Sequence, residues 1–295
     1  MKLVWFPQWF CQNYAKTGES FGPACPYCPY GFRNGRLVFE GRETSSNELA
    51  NPADVLAFFR ANAEYLGHFL EVSGGEPLLF PLLDRFLGDG AADGEWGLPG
   101  WYWAITTNTL NTKMIERLGQ AGALARCISW TASFHPLSRR DERYAANIAL
   151  LRRLGALNIR ATLVVSVDTI DHIERALEFL RGLDLNGFQF HVDSHGDLSK
   201  NPGLRERVEA IAPGVWQFAG HVPVGRRCDK QRELMAVGAD GTLYECVTKA
   251  YRNLDPIGRV DGSLKLAELP RKVEFCTVPC FAVCDHVKHV AEETA

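Results

Sequence analysis

Six short apolar runs, each followed by a stretch of helical period, constrain this 295-residue chain more than any other feature. Residues 3–10 read as a buried strand. Asn51-Pro52 reads as an N-cap with proline at the first helical position, opening a helix that carries Val55, Leu56, Phe58 and Phe59 to about Leu66. Residues 68–73 form a second strand that breaks at Gly74-Gly75, and residues 101–107 a third that ends at Thr107-Asn108. Asn111 caps a helix whose Met114, Ile115 and Leu118 point inward. Residues 126–134 repeat the strand pattern, and Tyr144, Ile148, Leu151 and Leu154 follow at helical spacing. Residues 159–167 are rich in β-branched side chains, Ile170, Ile173, Leu177 and Leu180 form the next helical stripe, and residues 187–192 make a sixth strand. Strands alternating with helix-length segments predict parallel βα units, hence an α/β fold: a partial (β/α)6 TIM-like barrel over residues 1–200. In such units the loops at the C-terminal ends of the strands carry the chemistry.

The pattern changes after residue 200. Pro, Gly and charged residues suggest a linker over residues 201–225, and residues 226–295 read as a small appended module. Within it, residues 233–237 and 242–247 flank Ala239-Asp240-Gly241, the signature of a β-hairpin with an Asp-Gly turn.

The chain holds 32 basic against 35 acidic residues, a formal charge of −3. That balance argues against a strongly basic nucleic-acid binder. No apolar run approaches the ~18 residues of a membrane span, and the N-terminus lacks the long apolar core of a signal peptide. A cytoplasmic location is therefore expected, and there the nine cysteines suit metal ligation or catalysis better than disulfides. They are unevenly spread. Cys11, Cys25 and Cys28 stand at the front, Cys228, Cys246, Cys276, Cys280 and Cys284 at the back, and Cys127 alone in an apolar strand where a thiol packs as a small hydrophobe. Close groups of thiolates suit iron–sulfur or zinc sites.

Cys25-Pro26-Tyr27-Cys28, followed after one helix by Ser73-Gly74-Gly75-Glu76-Pro77, resembles the radical S-adenosylmethionine enzymes. The resemblance implies that Cys11, Cys25 and Cys28 bind a [4Fe–4S] cluster whose fourth iron chelates S-adenosylmethionine. It also implies that Gly74, Gly75, Glu76 and Pro77 hold the methionine end, and that Tyr27, Thr107, Asn108 and Ser133 contact the rest of the cofactor. The family spacing is C-x3-C-x2-C, whereas this chain has C-x13-C-x2-C, an insertion of ten residues (13 minus 3) between the first two ligands. A flexible loop tolerates such an insertion because closure entropy grows only logarithmically with length. The back half resembles the Twitch/SPASM extension of the family. Cys228, twelve residues, Gly241, four residues and Cys246 reproduce its first half, and Cys276, Cys280 and Cys284 supply the rest. Five cysteines there suit one auxiliary [4Fe–4S] cluster with one thiol spare. A zinc knob using the same cysteines and His286 is the alternative, and would make the chain a non-catalytic structural or adaptor protein.

The activity implied is cleavage of S-adenosylmethionine to a 5′-deoxyadenosyl radical and hydrogen abstraction from a substrate, with the auxiliary cluster as electron acceptor. An electron donor such as flavodoxin or ferredoxin is implied as partner. The expected substrate is a small polar metabolite, since the first strand begins almost at once and leaves no room for a leader-binding domain. Peptide modification by cross-linking, epimerisation or side-chain oxidation is the alternative. His135 and the His191, Asp193, His195 series are the candidate catalytic side chains. If the sixth strand continues, the series projects from one face, where it could contact substrate, relay a proton or bind metal; a solvated loop is the other reading.

Overall fold

The computed structural model describes residues 1–9, 14–17, 20–23, 30–33, 36–39, 42–45, 49–89, 96–138, 140–192, 202–211, 213, 234–261 and 263–269. β1 (Lys2–Trp5) is followed by five four-residue strands: β2 (Tyr14–Thr17), β3 (Ser20–Pro23), β4 (Tyr30–Arg33), β5 (Arg36–Phe39) and β6 (Arg42–Ser45). Two helices, α1 (Pro52–Ala61) and α2 (Ala63–Leu66), lead to β7 (Phe69–Val72). Then come α3 (Leu83–Leu87), β8 (Tyr102–Thr107), α4 (Thr112–Gln120), β9 (Cys127–Phe134), α5 (Asp141–Arg153), β10 (Ile159–Val165), α6 (Ile173–Arg181) and β11 (Gly187–Val192). α7 (Pro202–Ile211), β12 (Leu234–Val237), β13 (Thr242–Tyr244), α8 (Val247–Arg252) and β14 (Gly258–Arg259) complete the described elements.

The main sheet has the order β11-β10-β9-β8-β7-β1-β12-β13-β14 and is not closed into a barrel. Its six strands from β1 to β11 pair in parallel and in sequence order, as the alternating pattern requires. The strand periodicity divides the sheet into two faces. Ile105, Trp130 and Ile159 are in register and fully covered by helices, as are Ala132 with Ala161 and Phe134 with Leu163. Thr106, Thr131, Ser133, Thr162 and Gln189 share the opposite face, where Gln189 donates to the Thr162 hydroxyl at 3.0 Å. One face is thus an apolar core and the other is lined by hydroxyls.

Three departures from the sequence pattern bear on the site. The predicted helix from Pro52 to Leu66 breaks at Asn62, whose side chain donates to the carbonyls of Phe58 and Leu264 (both 2.8 Å) and accepts from the Leu266 amide (2.7 Å). The segment read as a linker contains the ten-residue helix α7. The predicted hairpin exists as β12–β13, its turn closed by Gly241 at φ +83° and by the Asp240 carboxylate accepting from Thr242 N–H. It does not stand apart: β12 runs parallel to β1 over four registered pairs from Lys2↔Leu234 to Trp5↔Val237. Without β12, β1 would be an edge strand with unpaired backbone groups.

β2 to β6 form a second, antiparallel sheet in sequence order, for which the helix-and-strand alternation gave no expectation. The sequence signal for it is Asn34-Gly35, the preferred two-residue hairpin dipeptide, between β4 and β5.

Asn62 is 4 % exposed, so truncating it strands two backbone groups it now satisfies on the C-terminal segment. Asn62→Ala should destabilise the chain by about 2–3 kcal/mol in urea denaturation. Asn51→Ala, at an exposed cap, should cost about 1 kcal/mol or less.

Candidate functional site

The loop after β7 is Ser73-Gly74-Gly75-Glu76-Pro77, at the C-terminal end of the second parallel strand. Glu76 is fully buried. One carboxylate oxygen accepts from the Leu78 amide at 3.0 Å and from the Thr107 hydroxyl at 2.5 Å; the other accepts from the Asn108 amide at 2.8 Å. The carboxylate therefore joins the end of β7 to the end of β8. Burial pushes its pKa up to about 7, and the three donors hold it from rising further.

Beyond Asn108 the chain turns through Thr109, at φ +60°. That strained residue is fixed by neighbours: Trp130 Nε1 donates to its hydroxyl at 3.1 Å and Asn147 Nδ2 to its carbonyl at 2.7 Å. The Asn147 carboxamide oxygen accepts from Thr112 at 2.9 Å, carrying the network into α4 and α5.

The segment after β1 packs on the same loop. Ser73 N–H donates to the Trp5 carbonyl at 3.0 Å and Gly75 N–H to the Gln8 carbonyl at 3.2 Å, while the Gln8 carboxamide donates to the Glu76 carbonyl. Gly74 adopts φ +125°, and a Cβ there would meet the Gln8 carbonyl at 2.8 Å, so only glycine allows this approach. On its other side, residues 6–9 rest on α8. The ring of Trp9 stacks on Phe6 with centroids 4.9 Å apart, and Tyr251 lies 5.0 Å from Phe6 and 5.9 Å from Trp9.

Asn108, Leu110, Ser133, His135 and Tyr144 line one cleft at the ends of β8 and β9. Tyr144 donates to the Ala132 carbonyl at 2.9 Å, and burial pushes its phenol upward. Burial also pushes the half-buried His135 down to about 4, so its imidazole is neutral at neutral pH.

The predicted residues Gly74, Gly75, Glu76, Pro77, Thr107, Asn108, Ser133 and His135 thus gather at the ends of three adjacent strands, β7, β8 and β9. Thr107 and the Asn108 amide are engaged by Glu76, which makes them part of the loop's support. His191 on β11 is in register with Val164. Cys127 is buried and its thiol is pushed up to about 12, as a packing residue requires. Cys246 is the N-cap of α8, its sulfur accepting from the Lys249 amide at 3.4 Å. Cys11, Cys25, Cys28, Tyr27, Asp193, His195, Cys228, Cys276, Cys280 and Cys284 lie outside the described residues. Among the described residues no group of three or more His, Cys, Asp and Glu is set to hold a metal ion. No described helix is long and apolar enough to cross a membrane. The pattern reading missed Gln8, whose role depends on contacts 68 residues away and leaves no local signal.

No family model matches the sequence, and no curated protein resembles it. Solved structures do share its fold. The crystal structure of Streptococcus suis SuiB bound to S-adenosylmethionine matches 87 % of this chain at 16 % identity with a TM-score of 0.55. SuiB bound to the precursor peptide SuiA matches 92 % of this chain at 15 % identity with a TM-score of 0.59. The chain covers 62 % and 64 % of those SuiB chains, less than two thirds of their length. Native anSMEcpe with bound AdoMet matches 91 % of this chain and 80 % of its own, at 15 % identity with a TM-score of 0.54. These neighbours are radical S-adenosylmethionine enzymes. The chain has their fold.

Glu76 sets a specific pH dependence. Its folded pKa is raised, so the native state holds a proton between about pH 4.5 and 7 that the unfolded chain has released. The stability of the protonated form is fully present below the unfolded pKa and is lost as pH rises through about 7. Between pH 5 and 8, wild type should lose about 2–3 kcal/mol relative to Glu76→Gln in urea denaturation of the metal-free chain. At pH 5 the variant should be the weaker, because its amide nitrogen meets the Asn108 N–H.

Proposed function

We propose that this chain is a radical S-adenosylmethionine enzyme. The observation that carries the reading is the packing of residues 5–8, which lead towards Cys11, on the Gly74-Gly75-Glu76 loop at the C-terminal ends of parallel strands. The described chain that precedes Cys11 in sequence therefore rests on the loop that carries Glu76. The shared fold with S-adenosylmethionine-bound neighbours supports the same reading.

Cys11, Cys25 and Cys28 would hold a [4Fe–4S] cluster, and Tyr27, Gly74, Gly75, Glu76, Pro77, Thr107, Asn108 and Ser133 would hold S-adenosylmethionine. A loop anchored by residues 5–8 on one side and by Thr107 and Asn108 on the other fits a cofactor recognised through the loop backbone. Cys228, Cys246 and two of Cys276, Cys280 and Cys284 would hold the auxiliary cluster, leaving one thiol spare. Together these groups, when bound, would supply 5′-deoxyadenosyl radical chemistry, hydrogen-atom abstraction from a C–H bond and an acceptor for the electron that the substrate radical gives up in becoming the oxidised product. The chain's own task is positioning and exclusion of water. Glu76 orients the loop. Neutral His135 faces the cleft as a hydrogen-bonding group that adds no cation at neutral pH. The hydroxyl-lined sheet face would offer hydrogen-bonding contacts to a polar substrate.

The ten-residue insertion between Cys11 and Cys25 is compatible with a shared cluster. Within it Tyr14 pairs with Pro23 and Thr17 with Ser20, an antiparallel hairpin. Paired residues lie about 5 Å apart, so the extra chain leaves and returns at nearly one point.

A substrate peptide is the second reading for the reaction. It is favoured by two neighbours seen with peptides: SuiB with its precursor peptide SuiA, and anSMEcpe with the Cp18Cys peptide. The first reading remains oxidation of a small polar metabolite, with a flavodoxin or ferredoxin as electron donor.

Anaerobic reconstitution tests the proposal. The chain should take up about eight irons, two clusters of four, and release 5′-deoxyadenosine when reduced with S-adenosylmethionine present. Zinc without iron would sink it. Stimulation of that release by short peptides encoded beside its gene, and not by sugar alcohols, would decide for the peptide reading. Replacing residues 15–22 with a two-residue turn should leave iron content and visible absorbance unchanged, whereas loss of iron would show that the hairpin itself builds the site.

A further inference from the structure

We propose that Gln8 is a positioning residue, clamping the Gly-Gly-Glu-Pro loop to the segment that leads into Cys11 so that one side chain sets both halves of the cofactor site. The inference rests on the function proposed above. Gln8 is 8 % exposed and is the only polar side chain in Trp5-Phe6-Pro7-Gln8-Trp9. A buried polar group is unfavourable unless its hydrogen bonds are made. Here the Gln8 carboxamide nitrogen donates to the Glu76 carbonyl, and beside it the Gln8 main-chain carbonyl accepts from the Gly75 amide at 3.2 Å. Two bonds of opposite sense between residue 8 and residues 75–76 fix the orientation of the intervening peptide as well as its distance. One residue further, the Glu76 carboxylate is held by Thr107 and Asn108.

The backing of the clamp is rigid. Phe6 is fully buried and Trp9 5 % exposed, and their stacked rings are closed on the far side by Tyr251 of α8. The segment cannot retreat from the loop without opening this stack. Van der Waals contact could be supplied at position 8 by many residues, but the donor aimed at the Glu76 carbonyl requires an amide. Glutamate has the same shape and no donor; it would set a carboxylate against a carbonyl. The chemistry therefore assigns Gln8 to holding the geometry at which the loop backbone meets the amino end of S-adenosylmethionine.

The test uses the full chain, reconstituted anaerobically, as wild type, Gln8→Ala and Gln8→Glu. Both variants should take up wild-type iron and show the wild-type cluster spectrum. The S-adenosylmethionine concentration needed to shift the electron paramagnetic resonance signal of the reduced cluster should rise about tenfold or more, the effect of one lost buried hydrogen bond. KM for S-adenosylmethionine should rise with it while kcat falls less. Iron-loaded variants that bind S-adenosylmethionine within twofold of wild type overturn the assignment of Gln8, even if their melting temperature falls. Wild type that takes up no iron overturns the functional reading and this one with it. If neither variant folds, amide hydrogen exchange on wild type decides. Exchange at Gly75 should slow when S-adenosylmethionine is added, and unchanged exchange there overturns the clamp.

Discussion

A buried carboxylate is costly unless donors satisfy it, and among the described residues Glu76 is satisfied by groups from the neighbouring strand and from its own turn. That requirement fixes where β7 stops, because the turn must present Leu78 N–H to the acid. It also fixes where β8 stops, because Thr107 and Asn108 must arrive opposite. The positive φ of Thr109 follows from the same demand: the chain has to turn away immediately after Asn108, and Trp130 and Asn147 hold the residue in that conformation. One ionisable group thus organises the ends of neighbouring parallel strands where chemistry in βα folds is carried out.

The first strand adds the second constraint. β1 is the inner strand between β7 and β12, so the chain that leaves it must pass between the Gly-Gly-Glu-Pro loop and the C-terminal hairpin. Its aromatic residues meet that geometry in different ways. Trp5 turns to the helical side and packs on Phe59, Phe80 and Phe86, whereas Phe6 and Trp9 face Tyr251. A hairpin that looks autonomous in sequence is thereby part of the main sheet, and Cys246 is brought to the end of the sheet by α8, the helix on which Trp9 rests.

The parallel strands were legible because one face of each is buried against the helices, which marks it with recurrent apolar residues, and because Asn51 and Asn111 mark helix starts with side chains that do cap. The antiparallel sheet of β2 to β6 was not, since its strands are four residues long and carry little periodicity beyond the Asn-Gly turn. Parallel pairing of β1 with β12 has no local signature at all: the partners are more than 200 residues apart, and only the unpaired edge of β1 calls for one. At the site, the Gly-Gly-Glu-Pro loop stood out as a motif, but the division of labour within it did not. Thr107 and Asn108 read as cofactor contacts, and the fold uses the Thr107 hydroxyl and the Asn108 amide to hold Glu76.

The long spacing between Cys11 and Cys25 illustrates why sequence distance is a poor guide to geometric distance. A disordered insertion of ten residues would add closure entropy that ordering of the site must overcome. An insertion that pairs with itself from Tyr14↔Pro23 outward, and whose return strand pairs in turn with β4, lowers that penalty because those ladders already order it. For the reading of Cys11 and Cys25 as ligands of one cluster, the spacing rule would apply to the five residues, 12–14 and 23–24, left in sequence once 15–22 are subtracted. A five-residue path in place of three is a difference that turn geometry can absorb, so the motif and its apparent violation are consistent with one site.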